Sequence, residues 1–521
     1  MSIARGRLIA TLVLVSAELG CDPPRRTTTD GGSADAMVRS DAGLPLDAGT
    51  TPGRDAGPAV DAGAVVAVPL PTGAANWTFY GAEMGGPNQV LGASYDEGGN
   101  LWVAGGEQGL FLLRAGATRF QQLTMADGLR PYGYMPDGTV PPGDKYLNVI
   151  SVSGAWAGTV FVGYRGKPPP AGAVDCESNW DGPNPDPSIY KSGDADKVTL
   201  NSNGNGISVI HYDISSGPGL VRVEMRGREK LCHILRIRYD KANSRVWFGG
   251  NHGFAMGDAN YQGTGSCQWE SSINPPTPTT QTSPFTNEYG HYGCSGVLEH
   301  VHPAINGYLQ NNTTSCCQYL TEDYYGVSVD PVTKDVWFGG LIRTTKFHYG
   351  VTNGDYYTAE SETEDPPYIS NRIDVWPDQV EEPDYPMPDQ RVDDAISGAA
   401  AMADGSVWVS SFVWGMAHID SGGAVTARVT TSDGLAADKL SAIAADPLDQ
   451  SVWAGSHYGF GISRLAGGAF TTYDHNLLGW PLANQGVVDI QSSGTGSSRV
   501  MVVSFSGDSQ YAGAVGVYNG P

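Results

Sequence analysis

What this chain lacks narrows it first. No stretch keeps apolar residues at helical spacing for long, so a helical core is excluded. Basic residues are scarce: 31 Lys and Arg against 55 Asp and Glu give a formal net charge of -24, and no Lys/Arg-rich run occurs beyond the first few residues. That field repels a polyphosphate, which argues against nucleic acid as a partner. The apolar run Leu8 to Ala17 is too short and wrongly flanked for a mature membrane span. No G-x-S-x-G elbow, Walker loop or H-E-x-x-H pair occurs, so the familiar nucleophile, nucleotide and zinc-protease motifs are missing. What is abundant, 70 Gly, 34 Pro and 25 Tyr, suits many short strands joined by turns.

The N-terminus reads as an export signal over residues 1–20, with Arg5 and Arg7 ahead of the apolar run. Leu19-Gly20-Cys21 resembles the lipobox of bacterial lipoproteins, although Glu18 stands where that family places an apolar residue. The resemblance implies a lipid on Cys21, with the outer membrane or cell surface as the location and a periplasmic or secreted protein as the alternative. Contact with a membrane is then expected only through the lipid. The six other cysteines, Cys176, Cys232, Cys267, Cys294, Cys316 and Cys317, are an even number in an oxidising compartment and are disulfide candidates of open pairing.

Residues 21–75 are poor in aromatics and repeat Asp-Ala-Gly at Asp41, Asp47, Asp55 and Asp61. Such a segment buries too little apolar area to offset its ordering entropy, which predicts a disordered tether spanning roughly 40 Å. Its composition resembles the stalks of myxobacterial surface lipoproteins.

From residue 76 to 521 one pattern recurs. A short alternating strand ends near an acidic residue, a turn follows, and an aromatic-centred strand ends in small residues. The clear copies hold Trp102, Trp247, Trp337, Trp408 and Trp453; Val160-Phe161-Val162 and Val500-Met501-Val502 are weaker. The turn acids are Asp96, Asp240, Asp330, Asp404 and Asp446. Seven four-strand units with aromatic signatures predict an all-β, seven-bladed β-propeller. The D-x-x-G-x-L-W-V pattern of Asp96 to Val103, and the Gly-Leu steps at Gly128-Leu129 and Gly434-Leu435, resemble two-component-regulator propeller repeats. No kinase or DNA-binding part accompanies them. The last unit lacks a fourth strand, and Trp77 to Tyr80 supplies a lone outer one. Pairing residues 77–80 with 514–518 would close the ring and remove its open edges.

The Trp453 and Met501 steps are about one bare blade long, so the earlier units carry extra chain. Residues 164–205 read as falling between the second and third strands of the second unit. Residues 130–146, 271–321 and 359–392 read as falling between an outer strand and the next inner one. Both kinds of connection leave a propeller on one face, which predicts a single decorated rim and, on it, a recognition site. The residues after each Trp strand, Glu107, Arg165, His252, Arg343, Trp414, His457 and Asp508, would ring the channel mouth there and could contact a ligand.

No metal site is expected. The His and Cys residues of 271–321 match no zinc spacing. Calcium is the one cofactor considered, at Asn201 to Gly206 and at the 13 acids of 355–394, and a tight turn and a solvated run account for these better. The functional expectation is a monomeric, non-catalytic cell-envelope module that binds a saccharide, a peptide or an envelope protein. A polysaccharide-active lyase or hydrolase is the alternative, with His252 or His457 as base.

Overall fold

In the computed structural model the described residues are 65–131, 146–166, 193–202, 206–212, 214, 233–251, 253–263, 297–301, 323–341, 344–347, 369–373, 375–376, 394–459, 461–494 and 498–520. They form seven four-stranded antiparallel sheets. Six blades are built from consecutive strands. Blade 1 holds Gly92–Tyr95, Leu101–Ala104, Leu110–Leu113 and Gln121–Leu123. Blade 2 holds Val149–Gly154, Thr159–Tyr164, Ala195–Leu200 and Ile207–Tyr212. Blade 3 holds Ile234–Asp240, Arg245–Gly250, Gly253–Asp258 and Val297–Val301. Blade 4 holds Tyr324–Val329, Val336–Gly340, Thr344–Phe347 and Ile369–Ile373. Blade 5 holds Ile396–Ala401, Val407–Ser411, Gly415–Ile419 and Val425–Val429, and blade 6 holds Leu440–Ala445, Val452–Ser456, Gly461–Ala466 and Ala469–Asp474.

Blade 7 is composite. Val487–Ser493, Val500–Phe505 and Ala514–Tyr518 supply three strands, and Trp77–Gly81 pairs antiparallel along Ala514–Tyr518 as the outer one. The seven inner strands touch in cyclic order, which makes the array a closed propeller. The chain docks earlier than Trp77. Val66 exchanges backbone bonds with Gln510 and Ala512, and Val68 is buried against blade 7, both within the span read from sequence as tether.

The tryptophans are inter-blade packing. Trp102, Trp247, Trp337 and Trp453 are fully buried, each facing the next blade. The seventh position belongs to Val502 rather than Met501. Val502 faces blade 1, whereas Met501 turns back toward Trp453, because this second strand carries one more residue before its turn. The residue cross-strand from each aromatic is basic in several blades. Lys346 Nζ lies 4.8 Å from the Trp337 ring, and the Arg464 guanidinium 5.5 Å from that of Trp453.

The turn acids explain the repeat motif. Asp96 accepts from the Gly98 and Asn100 amides through Oδ1, and from Trp102 Nε1 at 2.9 Å and the Gly158 amide of blade 2 through Oδ2. One carboxylate thus fixes a turn, orients an indole and ties two blades. Asp330 and Asp446 cap their turns in the same way without taking the indole, since Trp453 Nε1 donates to Ser451 Oγ instead, and Asp404 departs further. Met402 occupies the register place of Asp96, and Asp404 binds only Ser406 within its own turn. The two Gly-Leu steps are equally regular. Thr124 with Asp127, and Thr430 with Asp433, form capping boxes on single-turn 3-10 helices. Gly128 and Gly434 then take φ of 115° and 110°, which delivers Leu129 and Leu435 into the core.

The insertions are not confined to one face. Val297–Val301 and Ile369–Ile373 are outer strands lying inside two of the excursions expected to follow outer strands. The stretches before them, 259–296 and 348–368, therefore join third to outer strands and connect at the opposite end from the others. In blade 2, Ala195–Leu200 is the third strand, so that insertion ends near residue 194, and Asn201 to Gly206 joins the third strand to the outer one. The sequence hides these outer strands because each is short and half-polar.

Candidate functional site

The inner strands set the shape of the central channel. In blades 2 to 7 the inner strand carries a bulge near its start, leaving one extra residue at Ile150, Leu235, Tyr325, Ser397, Ser441 and Val488. Four residues at this level, Leu91, Ile150, Leu235 and Tyr325, belong to one buried cluster with Ala395 and Phe412. The cluster draws on five blades. It stands at the end where second strands run into third ones, hereafter the loop end, so apolar side chains close the channel there.

The next two register positions differ sharply between blades. In blades 1, 2, 4, 5 and 6 they are Gly92 and Ser94, Ser151 and Ser153, Gly326 and Ser328, Gly398 and Ala400, and Ala442 and Ala444. None is longer than serine. Blade 3 instead supplies Arg236 and Arg238, and blade 7 supplies Asp489 and Gln491. The small residues leave room for these long side chains to cross the axis. Arg236 donates to the carbonyls of Ser441 at 3.3 Å and Val488 at 3.2 Å, and lies 3.9 Å from Asp489. Gln491 donates to Asp489 at 2.7 Å and to the Val152 carbonyl of blade 2 at 2.9 Å, two blades round the ring. Arg238 also lies 3.9 Å from Asp489, so two guanidinium groups share one carboxylate. Burial and the neighbouring Arg236 lower the Arg238 pKa, and Asp489 partly opposes them.

Beyond this polar layer the channel opens at the turn end, where inner strands turn into second ones. It forms a funnel of about 780 Å³ lined by all seven blades. Arg238 and Gln491 lie at its floor. Ser94, Ser153 and Ser328 line its wall, and each hydroxyl accepts the amide of Gly154, Tyr239 or Ala401 from the next blade. Each O–H is left to donate. Lys241 and Glu97 pair at the rim.

Of the residues predicted to ring a mouth, those described lie at the closed end. His252 and Arg343 fall outside the described residues. Glu107 is exposed, and Arg165 and Trp414 are half-buried. Asp508 accepts the Gln510 and Tyr511 amides of its own turn. His457 is buried between Phe412 and Tyr458, where burial first and Lys439 second push its pKa down to about 4. Cys21 and the six disulfide candidates also lie outside the described residues. Among the described residues no group of three or more His, Cys, Asp or Glu could hold a metal.

Sequence reasoning missed Arg236, Arg238, Asp489 and Gln491. The alternation Arg-Ile-Arg in 236–238 and Asp-Ile-Gln in 489–491, on strands that are otherwise apolar, was the available signal.

No family model matches the chain, and no curated protein matches it. Among solved structures it is similar to YCF48 from Cyanidioschyzon merolae, at 11% identity and a TM-score of 0.44 over 85% of this chain and 99% of that one. YCF48 bound to a D1 peptide gives 10%, 0.41, 87% and 100%, and the WD40 β-propeller domain of Doa1 gives 9%, 0.39, 83% and 93%. At such values the fold rests on the seven sheets themselves.

Proposed function

We propose that this propeller is a non-catalytic binding module and that its site is the turn-end funnel. One observation carries this reading: the channel is filled at the loop end and open at the other, over a concave volume of ligand size lined by every blade. The funnel brings together the Arg238 guanidinium, six serines, the Lys241–Glu97 pair and small apolar residues, and among the described residues it holds no nucleophile–base pair. The same reading keeps the protein exported and held to the envelope by a lipid on Cys21, and incorporation of labelled fatty acid that disappears in Cys21→Ala checks that anchor.

The site is tested by screening peptide and glycan arrays with the full chain, then mapping the tightest binder by hydrogen exchange. Protection is expected at the turns near 94–98, 238–244, 328–334 and 443–450. Protection confined to the loop end, around Glu107, Trp414 and His457, would refute it.

A further inference from the structure

The funnel's chemistry narrows its ligand, an inference that rests on the funnel being the site. Its wall has two unlike halves. Blades 1 to 3 contribute Ser94, Ser153, Arg238 and the Lys241–Glu97 pair, while blades 4 to 6 contribute chiefly Val329, Pro331, Ala403, Ala445 and Pro447, with Ser328 and Gln450 as their polar members. Next to those prolines, Val332 and Leu448 stand exposed on the rim turns, at 58% and 54%. A ligand that satisfies both halves is polar on one side and apolar on the other.

The floor decides the sign of the polar group. Arg236 and Arg238 face Asp489 alone, which leaves one positive charge at the base of the funnel, inside a protein of net charge -24. A cation is repelled there and an oxyanion is attracted. The floor is also a dead end, since Arg236 and the apolar cluster seal the channel beyond it. A chain therefore enters end first, without running through. A saccharide would want an aromatic platform, and the two aromatics that line the funnel among the described residues are engaged elsewhere: Tyr239 packs against Trp156 and Phe161, and the Tyr95 hydroxyl is held by Tyr80.

We propose that the funnel captures the C-terminus of a peptide, its carboxylate on Arg238 and its last apolar side chains against blades 4 to 6. The Ser94, Ser153 and Ser328 hydroxyls serve as donors to the terminal carboxylate and carbonyls.

The test uses fluorescence anisotropy on the full chain, with a pool of N-terminally labelled hexapeptides ending in two residues drawn from Ala, Val and Leu. The pool is made both as free acids and as C-terminal amides. The free acids are expected to bind, the amides at least about tenfold more weakly, and Arg238→Gln should lose a similar factor for the acids alone. Val332→Asp, on the exposed rim and remote from the core, should weaken the acids several-fold and guards against misfolding of the Arg238 variant. Equal binding of acids and amides, indifference to Arg238→Gln in a folded protein, or no binding of either pool at about 1 mM would overturn the proposal. Equal binding with exchange protection still at the turn end would leave the funnel as the site and remove only the carboxylate. Protection at the loop end would remove both.

Discussion

The two ends of the channel are built from the same inner strands and come out opposite. At the loop end the bulged positions of blades 2 to 4 carry Ile150, Leu235 and Tyr325, which meet Leu91 of blade 1 and exclude water. A few residues further along, five blades offer only Gly, Ala or Ser, and the space is bridged by Arg236, Arg238, Asp489 and Gln491. The lesson concerns where asymmetry enters a repeat fold. Packing between blades demands a large apolar residue at the Trp position of each blade, whereas the axis is shared, so two blades can fill it for all seven.

Breaking the packing should have the largest effect. Trp453→Ala is expected to cost about 3–5 kcal/mol in urea unfolding, since the ring is fully buried among Trp77, Tyr473 and Tyr518. The axis comes next. Asp489→Ala leaves the buried Arg236 and the half-buried Arg238 without their carboxylate and should cost about 3 kcal/mol. If the polar layer is a ligand floor rather than a requirement for folding, Arg236→Met with Asp489→Leu should recover most of that loss. Asp96→Ala should cost about 1–3 kcal/mol because it orphans Trp102 Nε1 and two turn amides. Asp404→Ala, whose carboxylate serves its own turn only, should cost clearly less.

A titration sharpens the same contrast between shared and local roles. His211 is buried between Asp196 at 2.9 Å and Asp194 at 3.2 Å. Burial lowers its pKa, but the two carboxylates outweigh that and raise it well above 6.5. A folded value above the unfolded one stabilises fully below about pH 6.5, and that contribution is lost as the pH rises through the folded value. The Tm should therefore fall from pH 6 to pH 9 more steeply in the native chain than in His211→Gln. Thr430→Ala, which removes one capping box, should cost about 1 kcal/mol by urea unfolding.

The sequence made the fold legible and the site illegible, for one reason. Trp102, Trp247, Trp337, Trp408 and Trp453 announce themselves because inter-blade packing imposes one residue at one spacing. Arg236 and Asp489 meet across the ring, 253 residues apart, and no local pattern joins them. The bulges add to this by breaking the period of two just where each strand enters the channel. The one-sided rim failed differently. Val297–Val301 and Ile369–Ile373 carry too little alternation to be told from loop, and missing them moved two connections to the wrong end.

Soaking crystals of the full chain in bromide and locating the ions by anomalous scattering tests the sealed-and-open channel most directly. A bromide peak beside the Arg238 guanidinium, with none among Leu91, Ile150, Tyr325 and Phe412, is the predicted result. An empty funnel with ions held at the loop end, near Arg165 and His457, would contradict it.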